Sequence, residues 1–167
     1  FCELYAEDAR TGRQLFLMEL RAGEPVFLIN DDRISIYVYA VEESNVKRFV
    51  YASSTGVYGS SKEAVDETAI PEPQSLYATS KIRGEEHVRR LTDKIDTYIM
   101  RCGNVYGYNK SMRFDAVINR FVFEANFNKM VTIQGDGKQS RSFVHVEMLG
   151  TALANLLESD LPGSTYN

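Results

Sequence analysis

An α/β fold built on a doubly wound parallel sheet is what this sequence predicts, and three segments predict it. RFVYAS at 48–53 is a short apolar run of the kind buried inside a parallel sheet, an apolar stripe at helical spacing starts at Tyr77, and TYIMR at 97–101 is a second such run. A strand, a helix and a strand in that order form a right-handed crossover, so the two strands should be parallel and adjacent or nearly so.

The opening stretch shows no pattern that assigns it to an element. Ile34, Tyr37, Val38 and Val41 then mark an amphipathic helix over 33–44, with Asn30 and the two aspartates after it placed to cap its start. After the strand at 48–53 comes a polar stretch from Gly59 to Ser75 with Pro71 and Pro73, a loop at the carboxyl end of the strand that bears Ser53 and Ser54. In open α/β sheets that edge is where ligands bind. The helix from Tyr77 to about Leu91 carries Ala78, Ile82, Val88 and Leu91 on its apolar side, with Glu85 and Glu86 on the polar one. Downstream, Phe114, Val117, Ile118, Phe121, Val122 and Ala125 give the clearest helical stripe in the chain, and VTIQ at 131–134 reads as a strand. Gly135, Asp136 and Gly137 supply a tight turn before a second short strand in FVHV, and Leu149 to Leu157 form a last helix. Internal repeats and low-complexity segments are absent.

With 167 residues, 44% of them hydrophobic, and a net charge of −4, the chain is long and apolar enough to bury a core as one domain or a large piece of one. Its 19 basic residues are spread out, which argues against a nucleic-acid surface. With no apolar run of bilayer length and no signal peptide, a soluble cytoplasmic location without membrane association is the expectation. Cys2 and Cys102 make no disulfide framework, and two histidines with two cysteines make no ligand cluster, so no metal is expected. His87 and His145 read as structural, Cys102 as a small buried side chain, and Met100 and Met148 as core filler.

The chemistry lies in a tyrosine–lysine pair. At a spacing of four on a helix, both side chains share one face, where an ammonium favours the phenolate over the phenol. The spacing occurs as Tyr58 with Lys62, Tyr77 with Lys81, and Tyr106 with Lys110. Glycines and serines around the first and third pairs read as loop, so only Tyr77 and Lys81 are presented by a helix. The plain alternative for them is an exposed helix pair. For Ser53, Ser54 and Thr55 it is turn-forming hydroxyls, for Asn104 a turn residue, and for Arg141 a surface cation.

Four runs in order, NVKRFVYASSTGVYG, VDETAIPEPQSLYATSK, RCGNVYG and GDGKQSRSFVHVE, resemble the middle and later part of the extended short-chain dehydrogenases, in the group of NAD-dependent nucleotide-sugar epimerases and dehydratases. The SSTGVYG run is most similar to the UDP-glucose 4-epimerase branch. The resemblance implies a partial Rossmann-like region over 1–105 carrying the catalytic residues, and over 106–167 part of a small substrate-binding lobe with a returning Rossmann segment. Ser54 matches the catalytic Ser/Thr, Tyr77 the acid/base, and Lys81 the lysine that bonds the nicotinamide ribose. Ser53 matches a supporting hydroxyl near the cofactor, and Asn30 an asparagine near it. Asn104 matches a contact to the nucleotide-sugar, and Arg141 the arginine on its diphosphate, where a planar fork suits the anion better than an ammonium. NAD or NADP is the implied cofactor, a nucleotide-diphosphate sugar the implied substrate, and a homodimer through the helices at 33–44 and 77–91 the implied assembly.

The implied reaction is transient oxidation of the sugar to a ketone followed by re-reduction, which inverts the stereocentre if the ketone turns over between the two steps. The 4,6-dehydratases of the family follow the catalytic Thr with Asp-Glu, whereas Thr55 and Gly56 follow Ser54 here, so dehydration is disfavoured. A reductase, a decarboxylase and a non-catalytic member of the fold are the alternatives to an epimerase. The family's glycine-rich GxxGxxG turn is not in this sequence, and TGR at 11–13 does not replace it. The chain is therefore expected to be a fragment of a longer enzyme.

Overall fold

The structure is a computed structural model that describes residues 2–7, 14–20, 26–28, 41–42, 46–61, 63–109 and 113–167. In chain order its elements are β1 (Cys2–Glu7), β2 (Gln14–Leu20), β3 (Val26–Leu28), β4 (Arg48–Ser54), a 3-10 turn (Thr55–Tyr58), α1 (Leu76–Arg89), β5 (Asp96–Cys102) and β6 (Asn104–Tyr106). They continue with α2 (Val117–Phe127), β7 (Phe143–His145), α3 (Val146–Glu158) and β8 (Thr165–Tyr166). Of the helix predicted over 33–44, Val41 and Glu42 are described and are helical; Asn30 lies outside the described residues. The opening stretch, which no pattern assigned, forms the antiparallel pair β1–β2, with Cys2 opposite Leu20 and Glu7 opposite Gln14.

One compact unit comprises Phe1–Arg101 with Leu161–Asn167. Its four-stranded sheet has the order β3-β4-β5-β8. β3 pairs in parallel with β4, and β8 in parallel with β5. Asp96 N donates to Lys47 O at 3.0 Å, and Arg48 Nε lies 3.9 Å from Asp96 Oδ2, so the amino ends of β4 and β5 share one edge and these strands run the same way. That is the predicted crossover, and it follows from the apolar run Phe49, Val50 and Tyr51, all buried, which leaves β4 no solvated face there. Tyr98 and Ile99 of β5 and Ala78, Val88 and Leu91 on or just beyond α1 complete the same core.

Helix α1 starts where a serine caps it. Ser75 is extended (φ −136°, ψ 157°) and its Oγ accepts from Ala78 N at 3.1 Å. His87 and Arg89 occupy its last turn, where the helix dipole favours cations. Gly84 lets α1 lie close to β4, because a Cβ there would fall on the Tyr51 hydroxyl and 2.7 Å from Tyr51 Cζ.

The second unit is Cys102–Asp160. β6 pairs in parallel with β7, Asn104 opposite Phe143 and Tyr106 opposite His145. His145 caps α3, its Nδ1 accepting from Glu147 N at 3.3 Å. The predicted strand at 131–134 is not one: Val131 and Ile133 are exposed, and Thr132 N donates to the side chain of Glu124 rather than to a neighbouring strand. Its β-branched residues suit a strand, but β7, which the following turn leads into, takes β6 as its partner. Met148, expected in the core, is 68% exposed, and Cys102 is only half-buried. Among the described residues no helix is long and apolar enough to cross a membrane.

Two glycines in helices should respond oppositely to alanine. Gly84→Ala is expected to lower stability by about 1–3 kcal/mol through overpacking against Tyr51. Gly150→Ala, whose Cβ would meet nothing within 4 Å, is expected to raise it by up to ~1 kcal/mol. Denaturant midpoints of the intact protein measure both.

Candidate active site

Tyr77 and Lys81 stand one turn apart near the start of α1. Tyr77 is 59% exposed, while the Lys81 side chain runs inward and is 4% exposed. Its Nζ donates to Ala52 O at 2.8 Å and lies 5.7 Å from the centre of the Tyr77 ring and 5.1 Å from that of Tyr51. A buried ammonium is costly unless paired, and here a carbonyl and two aromatic rings receive it. The phenol at the surface and the cation beneath it therefore share one helix face, as the spacing predicts.

Ser54 closes β4 and opens the 3-10 turn. Its backbone is extended (φ −145°, ψ 142°) and its Oγ accepts from Gly56 N at 3.1 Å, capping the turn. The turn ends at Gly59, whose φ of 71° and close approach to Glu72 O both require glycine. α1 packs against β4 and against this turn, so Ser54 and the Tyr77–Lys81 face belong to one corner of the sheet, at the carboxyl end of β4. Ser53, one residue earlier and so turned to the other side of the strand, is buried and donates to Glu85 Oε1 at 2.5 Å.

Glu85 is where the sequence reading of α1 fails. It lies not on a polar face but at 0% exposure, against Arg101 of β5 at 2%. Arg101 meets it as a fork, Nε to Oε1 at 2.9 Å and Nη2 to Oε2 at 2.7 Å, while Arg89 Nη2 adds a bond to Oε2 at 3.0 Å. Arg101 Nη1 donates to Tyr58 OH at 2.7 Å, and Tyr58 OH donates to Asn167 Oδ1 at 2.8 Å. Burial pushes the Glu85 carboxyl toward its neutral form. The hydrogen bonds from Arg101 and Ser53 and the charges of Arg101 and Arg89 outweigh that and hold it below the usual carboxylate range. The readable signal was an arginine ending the apolar run TYIMR, since a buried cation requires a buried anion.

In the second unit Asn104 is exposed at the start of β6. Its backbone N and its Nδ2 both donate to Ser142 O, at 2.9 and 3.1 Å, so the strand pairing sets it next to the residue that follows Arg141. Arg141 is exposed in the irregular run before β7. Of the other tyrosine–lysine pairs, Tyr58 sits in the 3-10 turn and Tyr106 ends a short strand rather than lying in a loop; Lys62 and Lys110 lie outside the described residues. Among the described residues no group of three or more His, Cys, Asp or Glu could hold a metal.

A parallel sheet with a Tyr–Lys helix against a hydroxyl-bearing strand end defines an α/β protein of the short-chain dehydrogenase class. Residues 36–167 match the NAD dependent epimerase/dehydratase family, and the chain belongs to that family. Its relatives include a dTDP-D-glucose 4,6-dehydratase of Homo sapiens, 32% identical over 135 residues that make up 79% of this chain and 38% of that protein. An uncharacterized UDP-glucose epimerase of Bacillus subtilis is 33% identical over 131 residues, 77% of this chain and 41% of its own. Among solved structures, a UDP-glucuronic acid 4-epimerase from Bacillus cereus, in complex with UDP-glucuronic acid and NAD, is similar at a TM-score of 0.70 and 27% identity, covering 78% of this chain and 41% of that one. The chain thus spans 38% to 41% of the length of these curated relatives. Epimerases and dehydratases both appear among them, so the family is fixed and the individual reaction is not.

Breaking the buried pair from one side should be severe. Arg101→Leu leaves the Glu85 carboxylate short of its main partner and is expected to cost about 3–5 kcal/mol, read from the denaturant midpoint. The pair also has a pH signature. Because the folded state holds the Glu85 carboxyl below its unfolded value of about 4.3, its contribution is present above that pH and is lost as pH falls through the folded value. Wild type should therefore lose stability more steeply than Glu85→Gln below about pH 4.5 in thermal melts.

Proposed function

We propose that this chain carries the catalytic residues of an NAD-dependent nucleotide-sugar 4-epimerase, with Tyr77 as acid/base, Lys81 as its charged partner and Ser54 as the hydroxyl that orients the reacting oxygen. The observation behind this reading is the exposed Tyr77 phenol with the Lys81 ammonium 5.7 Å from its ring, at the sheet corner that bears Ser54. An ammonium and a phenol are donors that suit the hydroxyls of a nicotinamide ribose. Bound there, NAD would supply the two-electron acceptor that the alcohol oxidation needs.

The chain's own residues would handle the proton. Tyr77 Oη takes it from the sugar hydroxyl as the carbonyl forms, and returns it to the same oxygen when the carbonyl is reduced from its other face. Lys81 is the cation beneath that phenol, and Ser54 Oγ holds the oxygen in line with the ring. Asn104 and Arg141 are proposed to meet the nucleotide-sugar, Arg141 through its diphosphate. A homodimer through the predicted helix at 33–44 and the helix at 77–91, and a cytoplasmic setting, belong to the same proposal.

The similarity to the dTDP-D-glucose 4,6-dehydratase of Homo sapiens supports a second reading, a 4,6-dehydratase. That reaction needs a further acid and base beside the hydroxyl, and Thr55 and Gly56 provide neither at the positions after Ser54. Products separate the two: an epimerase returns an isomer of unchanged mass, and a dehydratase returns a sugar lighter by one water.

Tyr77→Phe in the intact protein is expected to lower kcat about 10²- to 10⁴-fold while leaving the melting temperature in place. Calorimetry and a coupled turnover assay measure these. Wild-type turnover in that variant would defeat the assignment.

A further inference from the structure

We propose that the buried Glu85–Arg101 pair is a positioning device for the reaction: it locks the 53–58 segment, and with it Ser54, in register with the α1 face that bears Tyr77 and Lys81. The inference rests on the functional reading above and concerns residues that the reading does not use. Ser54 lies between two tethered residues. On one side Ser53 Oγ donates to Glu85 at 2.5 Å, and on the other Tyr58 OH accepts from Arg101 at 2.7 Å. Just before them, Ala52 O accepts from Lys81 Nζ at 2.8 Å. Glu85 follows Lys81 by one turn as Lys81 follows Tyr77, so the helix that presents the acid/base pair also grips the strand end beside the candidate hydroxyl.

Stability alone is a poor reason for this arrangement. Two charges at 0% and 2% exposure pay a desolvation cost, and apolar residues of similar volume often serve a core as well or better. What apolar packing does not supply is direction. The fork of Arg101 on Glu85 fixes both planes, and beyond the bond that Glu85 accepts from Arg89, the two groups bond to Ser53 and Tyr58, on either side of Ser54. A hydroxyl that must meet a substrate oxygen needs placement of that kind, since a displacement of about 1 Å can lower a rate ~10²-fold.

The test takes the intact protein with NAD and a panel of UDP-glucose, UDP-glucuronic acid and dTDP-glucose. Ser53→Ala and Tyr58→Phe each cut one tether and leave the Glu85–Arg101 fork in place. Each is expected to lower kcat about 10- to 100-fold with KM unchanged, and Ser53→Thr, which keeps the hydroxyl, to restore most of the loss. Amide hydrogen exchange over 54–59 should quicken in Ser53→Ala, while exchange over 117–127 stays as in wild type. Unaltered kcat in both variants, or a fall in kcat accompanied by faster exchange throughout the chain, would overturn the proposal. Exchange is read on the unliganded protein too, so unchanged protection at 54–59 overturns it even where none of the three sugars is turned over. The functional reading fails by a different result, wild-type turnover in Tyr77→Phe.

Discussion

The carboxylate of Glu85 and the guanidinium of Arg101 face each other with almost no access to water, and four pieces of the first unit meet on them. Helix α1 brings the anion, β5 the cation, β4 the Ser53 hydroxyl, and the 3-10 turn the Tyr58 phenol. A lone charge at either position would be costly; together, bonded to each other and to Ser53, Arg89 and Tyr58, they form a fixed polar centre in an otherwise apolar layer. Phe49, Val50, Tyr98 and Val88 supply the apolar packing of the crossover β4–α1–β5. The charges specify how its three members sit along one another.

The candidate site at the carboxyl end of β4 inherits that specification. Tyr77 and Ser54 come from different elements, and neither makes the fold. Their relation is set by what lies immediately beside them: Lys81 holding the Ala52 carbonyl, Ser75 and Ser54 each capping the turn that follows it, and Gly59 closing the 3-10 turn against Glu72. Exposure divides accordingly. The phenol is open to solvent while the cation beneath it is enclosed, the distribution a surface reaction centre needs if its charge is not to be diluted by water.

Much of this could be read from residue order, and the parts that could not share a cause. The crossover and the helix starting beside Tyr77 followed from periodicity, which is a local signal. Four motifs in sequence identified the family. Glu85 was misread because a helical wheel sorts residues by polarity and does not know that an arginine waits on the facing strand. The strand expected at 131–134 failed in a similar way: Val131, Thr132 and Ile133 have the right side chains, but strand formation is decided by a neighbour. Hairpin β1–β2 was present in the alternation of Cys2, Leu4 and Ala6 with Glu3, Tyr5 and Glu7, and went unread. Asn104 and Arg141 are brought near each other by the pairing of β6 with β7, a relation between residues far apart in the chain.

The tight seat of Gly84 against Tyr51 ties two positions 33 residues apart into one volume. A lineage that enlarges residue 84 must shorten residue 51 or move the helix outward, and moving it would pull Lys81 from the Ala52 carbonyl. The two sites are therefore expected to drift together in natural variants, as a covarying pair whose constraint comes from helix spacing rather than from contact with any ligand.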